Sequence, residues 1–152
     1  MISEEVKDYI DKSVLCWLAT CNKELIPNVS PKEIFTSINN TTLLIANIAS
    51  HNSIKNIQEN PNVCVSFVDI FVQKGYKLKG IATIIASQDH GFALKLKPLT
   101  NLFTDKFPIQ SVIEVEITQV DPIEAPSYFL FPNTTEESQV IGAMKTYKVQ
   151  KT

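Results

Sequence analysis

The sequence predicts a mainly β protein, in which about six antiparallel strands form a small barrel with flanking helices. Six apolar runs lie along the chain, and most of them are joined by short polar turns such as 22–25 and 39–42. Alternating strand–helix units are absent, which disfavours a doubly wound parallel sheet. Short antiparallel strands in this number leave no bare edges when the sheet closes into a barrel.

The first half of the chain contains a helix, three strands and a second helix. Residues 3–12 carry an apolar stripe behind Ser3, a good helix cap, and this pattern predicts a short helix. Three apolar runs then follow closely and predict an antiparallel meander. They cover residues 13–21, 26–38 and 43–48. Residues 52–60 have helical spacing, and Pro61 ends the helix.

The second half contains three more strands. They cover residues 62–71, 74–87 and 111–120. Gly80, inside the long middle strand, predicts a bend or bulge of the kind that a small barrel needs for curvature. Residues 89–107 have helical spacing but contain Pro98, which predicts one broken helix or two short ones. The tail gives no firm pattern apart from a helical candidate at 136–147.

Length and composition predict one ordinary globular domain over residues 1–152, with 44% hydrophobic and 20% charged residues. The net charge of −2 gives no reason to expect a nucleic-acid partner. No apolar stretch approaches the roughly 20 residues of a membrane span. The three cysteines form no CxxC motif, which favours the reducing cytoplasm over a disulfide framework. His51 and His90 have no acid or cysteine at a ligand spacing, so we expect no metal site.

A run of polar side chains stands where the middle helix begins. It includes Asn47, Ser50, Asn52 and Ser53. Free N–H groups and the helix dipole favour an anion at this place, so the run predicts a phosphate site. The alternative is helix capping, since serine and asparagine are usual cap residues and one is needed here in any case. Several polar residues in succession exceed what one cap requires.

Lysines on two predicted strands are further candidates for contact with an anionic ligand. Lys32 lies on the strand region that precedes the polar run, and a solvated strand lysine is the alternative explanation. Lys74, Lys77 and Lys79 form a local basic cluster beside Tyr76. Edge strands also carry lysines that prevent aggregation, so this cluster has a second explanation too.

Three segments together resemble the pyridoxamine 5′-phosphate oxidase-like family, the FMN-binding split barrels, over roughly residues 3–120. The segments are WLATCNKELIPNVSPKEIF, ANIASHNSIKNIQENPNVCVSFVD and QKGYKLKGIA. They are most similar to the flavin-nucleotide-binding branch, with a Ser-Pro-Lys strand, a Ser-x-Asn-Ser loop and a Lys-Gly-Tyr-Lys strand. The resemblance implies a six-stranded antiparallel split barrel and a homodimer with two FMN molecules in the clefts between subunits.

The resemblance also assigns cofactor-binding roles to individual residues. Lys32 matches the strand lysine near the flavin, and Asn47 matches a hydrogen-bonding residue of the third strand. The loop that binds the ribityl phosphate is matched by Ser50, Asn52 and Ser53. The strand that approaches the cofactor is matched by Lys74 and Lys77. The family implies no catalytic acid or base that can be named here.

Two departures from the family's oxidases bear on activity. Those enzymes have a Ser-Arg-Lys run in the phosphate loop, where this chain has His51-Asn52-Ser53 and therefore fewer fixed charges. Their C-terminal tryptophan and arginine elements find no match, so we do not expect vitamin B6 oxidase activity. The resemblance therefore implies an FMN-dependent oxidoreductase of unknown substrate. The alternative is a non-catalytic module that binds flavin, or haem through His51.

Overall fold

The computed structural model describes residues 1–102 and 107–150, which form one curled antiparallel sheet with flanking helices. The strands are β1 Cys16–Cys21, β2 Pro27–Lys32, β3 Phe35–Ser37, β4 Thr42–Asn47, β5 Asn62–Asp69, β6 Lys74–Ala86 and β7 Ser111–Glu124. The α-helices are α1 Glu4–Lys12, α2 His51–Glu59, α3 Phe92–Leu96, α4 Ser127–Leu130 and α5 Glu136–Tyr147. A 3₁₀ helix spans Lys97–Leu102. The mainly β architecture predicted from the sequence is confirmed.

The sheet has the strand order β2-β1-β5-β6-β7-β4-β3. Its two outermost strands, β2 and β3, follow one another in the chain with only Glu33 and Ile34 between them. A two-residue link can join opposite edges only when the sheet curls strongly, because extended chain spans at most about 3.3–3.6 Å per residue. The result is a half-barrel consistent with the split-barrel fold.

The prediction of six strands was wrong by one, since the predicted strand 26–38 is two strands. β2 pairs with β1, whereas β3 pairs with β4. Between them Ile34 turns into an apolar cluster, and its carbonyl oxygen accepts a hydrogen bond from Ala46 N (2.9 Å). The expected hairpins are therefore present, but the continuous meander is not, because the chain crosses from one edge of the sheet to the other.

The bulge predicted at Gly80 is confirmed. The pairing of β6 with β7 shifts by one residue between Lys79 and Gly80. A side-chain Cβ at position 80 would lie 2.2 Å from the carbonyl oxygen of Glu116, so only glycine fits this close approach. The bulge bends β6 and β7, the two longest strands, which lie next to each other near the middle of the sheet order.

Two apolar clusters stabilise the sheet. The larger one fills the barrel interior and includes Leu18, Val65 and Leu78. The smaller one lies under α3 and the 3₁₀ helix, where Leu99 is fully buried. The 3₁₀ helix follows α3 without a gap and contains Pro98, in agreement with the prediction of one broken helix or two short ones; residues 103–106 of the predicted segment 89–107 lie outside the described residues.

The chain after β7 forms α4 and α5, and the helical candidate at 136–147 is confirmed with the same bounds. Thr135 and Ser138 form a reciprocal capping box at its start. Tyr128 Oη donates to the carbonyl oxygen of Val72 (2.7 Å) and ties α4 to the β5–β6 turn. Among the described helices, none has the length and apolar character required to cross a membrane.

Candidate functional site: a lysine-serine cluster at the start of α2

The inward face of β2 is polar along its whole length. Residues alternate between exposed and covered positions, and Asn28, Ser30 and Lys32 occupy the covered ones. Helix α2 packs over this face and over β1, and its buried side includes Ser53 and Asn56. Two polar surfaces therefore meet inside the fold, which is unusual, because buried polar groups cost free energy unless they find partners.

The side chains of this junction satisfy one another with hydrogen bonds. Ser30 Oγ and Ser53 Oγ lie 2.9 Å apart, and Asn28 Nδ2 donates to Ser53 Oγ at 3.4 Å. Lys32 Nζ donates to Ser30 Oγ at 2.9 Å and also to Ser50 Oγ. The lysine thus connects the strand to the loop from which α2 starts.

Asn47 extends the network to the neighbouring strand. Its Oδ1 accepts from Ser50 N (3.1 Å), and its Nδ2 donates to Ser111 Oγ at the start of β7 (3.0 Å). Asn47 therefore fixes the turn that leads into α2. We call the set of Asn28, Ser30, Lys32, Asn47, Ser50 and Ser53 the β2–α2 cluster.

The N-terminus of α2 has no side-chain cap. Ser50 occupies the cap position, but its side chain accepts from Lys32 and makes no bond to the first-turn amides. The first turn also contains no acidic residue that would offset the positive end of the helix dipole. Capping alone therefore does not account for the polar run, and the first-turn N–H groups lack the usual serine acceptor.

Lys32 is the only cation of the β2–α2 cluster, and it is only 5% exposed. It is therefore not the solvated strand lysine that the sequence allowed as an alternative. Among the described residues, no carboxylate oxygen lies within 4.0 Å of its ammonium group. Burial lowers the pKa of Lys32, since desolvation disfavours the charged form.

Two cavities adjoin the cluster and share Ala49 and Ser50. The larger cavity has a volume of about 350 Å³, and the smaller one about 160 Å³. The larger cavity is lined by Asn28, Ser30 and the first residues of α2, whereas Lys32 lines the smaller one. The volume of the larger cavity falls at the lower end of the range of roughly 300–1,000 Å³ that is usual for small-molecule sites.

The structure brings four of the seven predicted site residues into hydrogen-bond contact: Lys32, Asn47, Ser50 and Ser53. Asn52 is exposed and lines the larger cavity. Lys77 is also exposed but lies elsewhere, on the outer face of β6.

Lys74 lies away from the cluster, where the C-terminal segment meets the barrel. Its Nζ is 3.3 Å from Glu124 and 2.9 Å from Glu136, and it lies 4.5 Å from the centre of the Tyr128 ring. The hydrogen bond to Glu136 and the second carboxylate raise the pKa of Lys74 well above its usual range. Within one chain, Lys74 therefore connects α4 and α5 to the start of β6.

Sequence reasoning missed several members of the network. Asn28, Ser30 and Lys32 follow one another at a spacing of two residues, so strand alternation places all three on one face. That spacing was a usable signal. Ser111 and the buried pair of Asn56 and Thr20, whose side chains are 3.1 Å apart, are far from one another in sequence and gave none.

The fold and the site together define a class: a split-barrel protein with a cationic, hydroxyl-rich pocket at a helix N-terminus. A sequence model described as Pyridoxamine 5'-phosphate oxidase matches residues 2–124, and the chain belongs to that family. No curated protein matches the chain.

Solved structures share the fold at low sequence identity. HupZ from Group A Streptococcus is 21% identical, with 82% of this chain and 96% of that chain covered and a TM-score of 0.70. An FMN-binding protein from Syntrophomonas wolfei is 15% identical, with 80% and 86% covered and a TM-score of 0.68. HutZ, the heme storage protein from Vibrio cholerae, is 13% identical, with 79% and 93% covered and a TM-score of 0.64.

Proposed function

We propose that the β2–α2 cluster binds the phosphate of FMN and that the protein is an FMN-dependent oxidoreductase of unknown substrate. The observation that carries this proposal is the buried Lys32 ammonium, which has no carboxylate partner among the described residues. A buried charge is costly unless it is paired, so its retention is best explained by an anion that the protein binds. Family membership and the FMN-binding protein of the same fold support FMN as that anion.

The residues present suit a phosphate group. Lys32 supplies one positive charge, and the first turn of α2 supplies N–H groups and the positive end of the helix dipole. Hydroxyl groups of Ser50 and Ser53 add neutral donors. Asn47 positions Ser50 through its bond to the Ser50 amide. FMN, when bound, supplies the electron-transfer chemistry, and the protein supplies binding and orientation.

Titration of the purified protein with FMN tests this proposal. We expect a saturable change in the flavin spectrum and quenching of its fluorescence. Bleaching of the bound flavin by NADH or NADPH, followed by reoxidation in air, would support oxidoreductase activity. A protein that leaves the flavin spectrum unchanged at high micromolar concentration does not bind FMN, and the proposal would then fail.

We further propose that the protein acts as a homodimer. The outer face of the sheet carries exposed apolar side chains, among them Trp17, Val29 and Ile81, and apolar patches of this kind are typical of interaction surfaces. Lys77 lies on the same face, because it pairs with Ser66 of β5, which in turn pairs with Trp17 of β1. A two-fold dimer through this face would bring Lys77 to the interface. Sedimentation equilibrium that shows a stable monomer at micromolar concentration would refute the dimer.

A haem-binding module is the second candidate. His51, the first residue of α2, is exposed and lines the larger cavity, where an imidazole is accessible to a ligand. HutZ, which shares the fold, is a heme storage protein. The spectrum of the protein as purified separates the candidates, because haem gives a Soret band and FMN does not.

A further inference from the structure

Lys32 and the hydroxyl groups that it holds line different cavities. Lys32 lines the smaller cavity, whereas Ser30, Ser50 and Ser53 line the larger one. The ammonium group donates to Ser30 Oγ at 2.9 Å and to Ser50 Oγ, so a single hydrogen bond separates it from the wall of the larger cavity. Any effect of Lys32 on a ligand in the larger cavity therefore passes through these two serines.

The hydrogen bonds around Ser30 favour one direction for its hydroxyl proton. A serine hydroxyl has one proton to donate, and its oxygen accepts. Ser30 Oγ accepts from the Lys32 ammonium, and Ser53 Oγ lies 2.9 Å away on its other side. Hydrogen bonds in a chain polarise one another, so a hydroxyl that accepts from a cation becomes the better donor. Ser30 therefore donates to Ser53.

This direction leaves the Ser53 proton for a ligand. Ser53 Oγ accepts from Ser30 and, at 3.4 Å, from Asn28 Nδ2, so its own O–H is the part that remains. Ser50 is in the same position, since its oxygen accepts from Lys32 and its side chain does not cap α2. Neither proton then has an acceptor among the described residues. Both hydroxyl groups are thus set as donors beside the first-turn N–H groups of α2.

We propose that Ser30 is a positioning residue of the phosphate site, which directs the Ser53 hydroxyl at the ligand under the influence of the Lys32 charge. This inference rests on the proposed function, because the ligand group is taken to be a phosphate. The oxygens of an ionised phosphate are strong acceptors, and donors that already point at them suit it. Donors that are ordered before the ligand arrives also lower the cost of ordering on binding.

Isothermal titration with FMN and riboflavin tests the role of Ser30. A change in cavity shape affects both ligands, whereas a change at the phosphate affects FMN alone, so the ratio of the two affinities is the quantity to compare. Ser30→Ala should lower this ratio roughly 2- to 12-fold, as expected for the loss of one neutral hydrogen bond. Ser37→Ala, which removes a half-buried hydroxyl at the other edge of the sheet, on β3, should leave the ratio unchanged.

Ser30→Thr shows whether the hydroxyl itself is responsible. Threonine restores the hydroxyl group and suits a strand position, so the ratio of FMN to riboflavin affinity should recover. Thermal unfolding checks that the variant folds as the wild type does. A folded Ser30→Thr protein that keeps the loss of Ser30→Ala would overturn the inference.

A double variant shows whether Ser30 acts through Ser53 or touches the phosphate itself. Ser53→Ala should lower the affinity ratio roughly tenfold to a hundredfold, since its hydroxyl bonds to a charged group. If Ser30 acts through Ser53, adding Ser30→Ala to Ser53→Ala costs at most about a further twofold, because residues of one network are not additive. Losses that multiply would show an independent role of Ser30 and would overturn the inference.

Two further outcomes separate this inference from the proposed function. If FMN binds the wild type and Ser30→Ala keeps the affinity ratio, the inference fails and the proposed function stands. If FMN does not bind, the proposed function fails, and inorganic phosphate then tests the inference alone. Phosphate should raise the melting temperature of the wild type more than that of Ser30→Ala. An equal rise in both proteins, or none in either, would overturn the inference as well.

Discussion

Replacement of Lys32 by methionine should make the ligand-free protein more stable and a poorer binder of FMN. Methionine keeps most of the length of the lysine stem but removes the buried charge. Exchange of buried ionic groups for apolar side chains of similar volume stabilises proteins by about 1–4 kcal/mol in favourable cases. The two hydrogen bonds to Ser30 and Ser50 are lost, at about 0.5–1.5 kcal/mol each, and offset part of this gain.

The expected net gain is about 1 kcal/mol, which raises the melting temperature by about 2–4 °C for a domain of this size. The effect on FMN has the opposite sign. A charge-assisted hydrogen bond is worth about 1.5–3 kcal/mol, so FMN should bind roughly 10- to 150-fold more weakly. Thermal unfolding followed by circular dichroism measures the first quantity, and isothermal titration measures the second. Lys55→Met is the matched control, because Lys55 is exposed on α2.

The stability difference between the two proteins should also depend on pH. Burial lowers the pKa of Lys32 in the folded state. At pH values between this lowered pKa and the pKa of lysine in the unfolded chain, the unfolded chain therefore binds more protons than the folded protein. The stability of the wild type therefore rises with pH in this window. Below the window Lys32 is charged in both states, and the cost of burying its ammonium group is present in full. The advantage of Lys32→Met should be greatest at neutral pH and should shrink in alkaline buffer. A methionine variant that melts below the wild type and binds FMN normally would refute the reasoning.

Further changes test the phosphate subsite, the bulge and the C-terminal attachment. Ser53→Ala should weaken FMN roughly tenfold to a hundredfold, as expected for a hydrogen bond to a charged group, and leave riboflavin nearly unchanged; equal losses by isothermal titration would contradict a phosphate contact. Gly80→Ala should destabilise the fold by about 1–3 kcal/mol in denaturant unfolding, because its Cβ would meet the Glu116 carbonyl at 2.2 Å. Gly142→Ala is its control, since nothing lies within 4 Å and alanine favours a helix by about 0.5–1 kcal/mol. Lys74→Met should accelerate proteolysis within residues 125–150 and leave FMN affinity unchanged; lost affinity would instead place Lys74 at the flavin.

The elements that the sequence predicted well depend on local patterns. Helix α5 has its predicted bounds, and the bulge at Gly80 lies where a glycine interrupts a strand. Capping, helical spacing and the constraint at glycine act over a few residues, so a short window contains the information. The break at Glu33 and Ile34 escaped prediction because the run 26–38 keeps strand composition throughout, and only pairing with two different partners divides it.

The sequence by itself determined the mainly β class, the polar run before α2 and the candidacy of Lys32. Those conclusions rest on residue types and their spacing within short stretches of the chain, so no knowledge of distant contacts is needed to reach them. Only the tertiary structure decided that Lys32 is buried without a carboxylate partner among the described residues, that Ser50 does not cap α2, and that Lys74 serves the C-terminal helices. Each of these depends on which distant segments meet: α2 covers the inward face of β2, and the chain after β7 returns to the start of β6. Such contacts are set by the global packing of the sheet, and no local pattern encodes them.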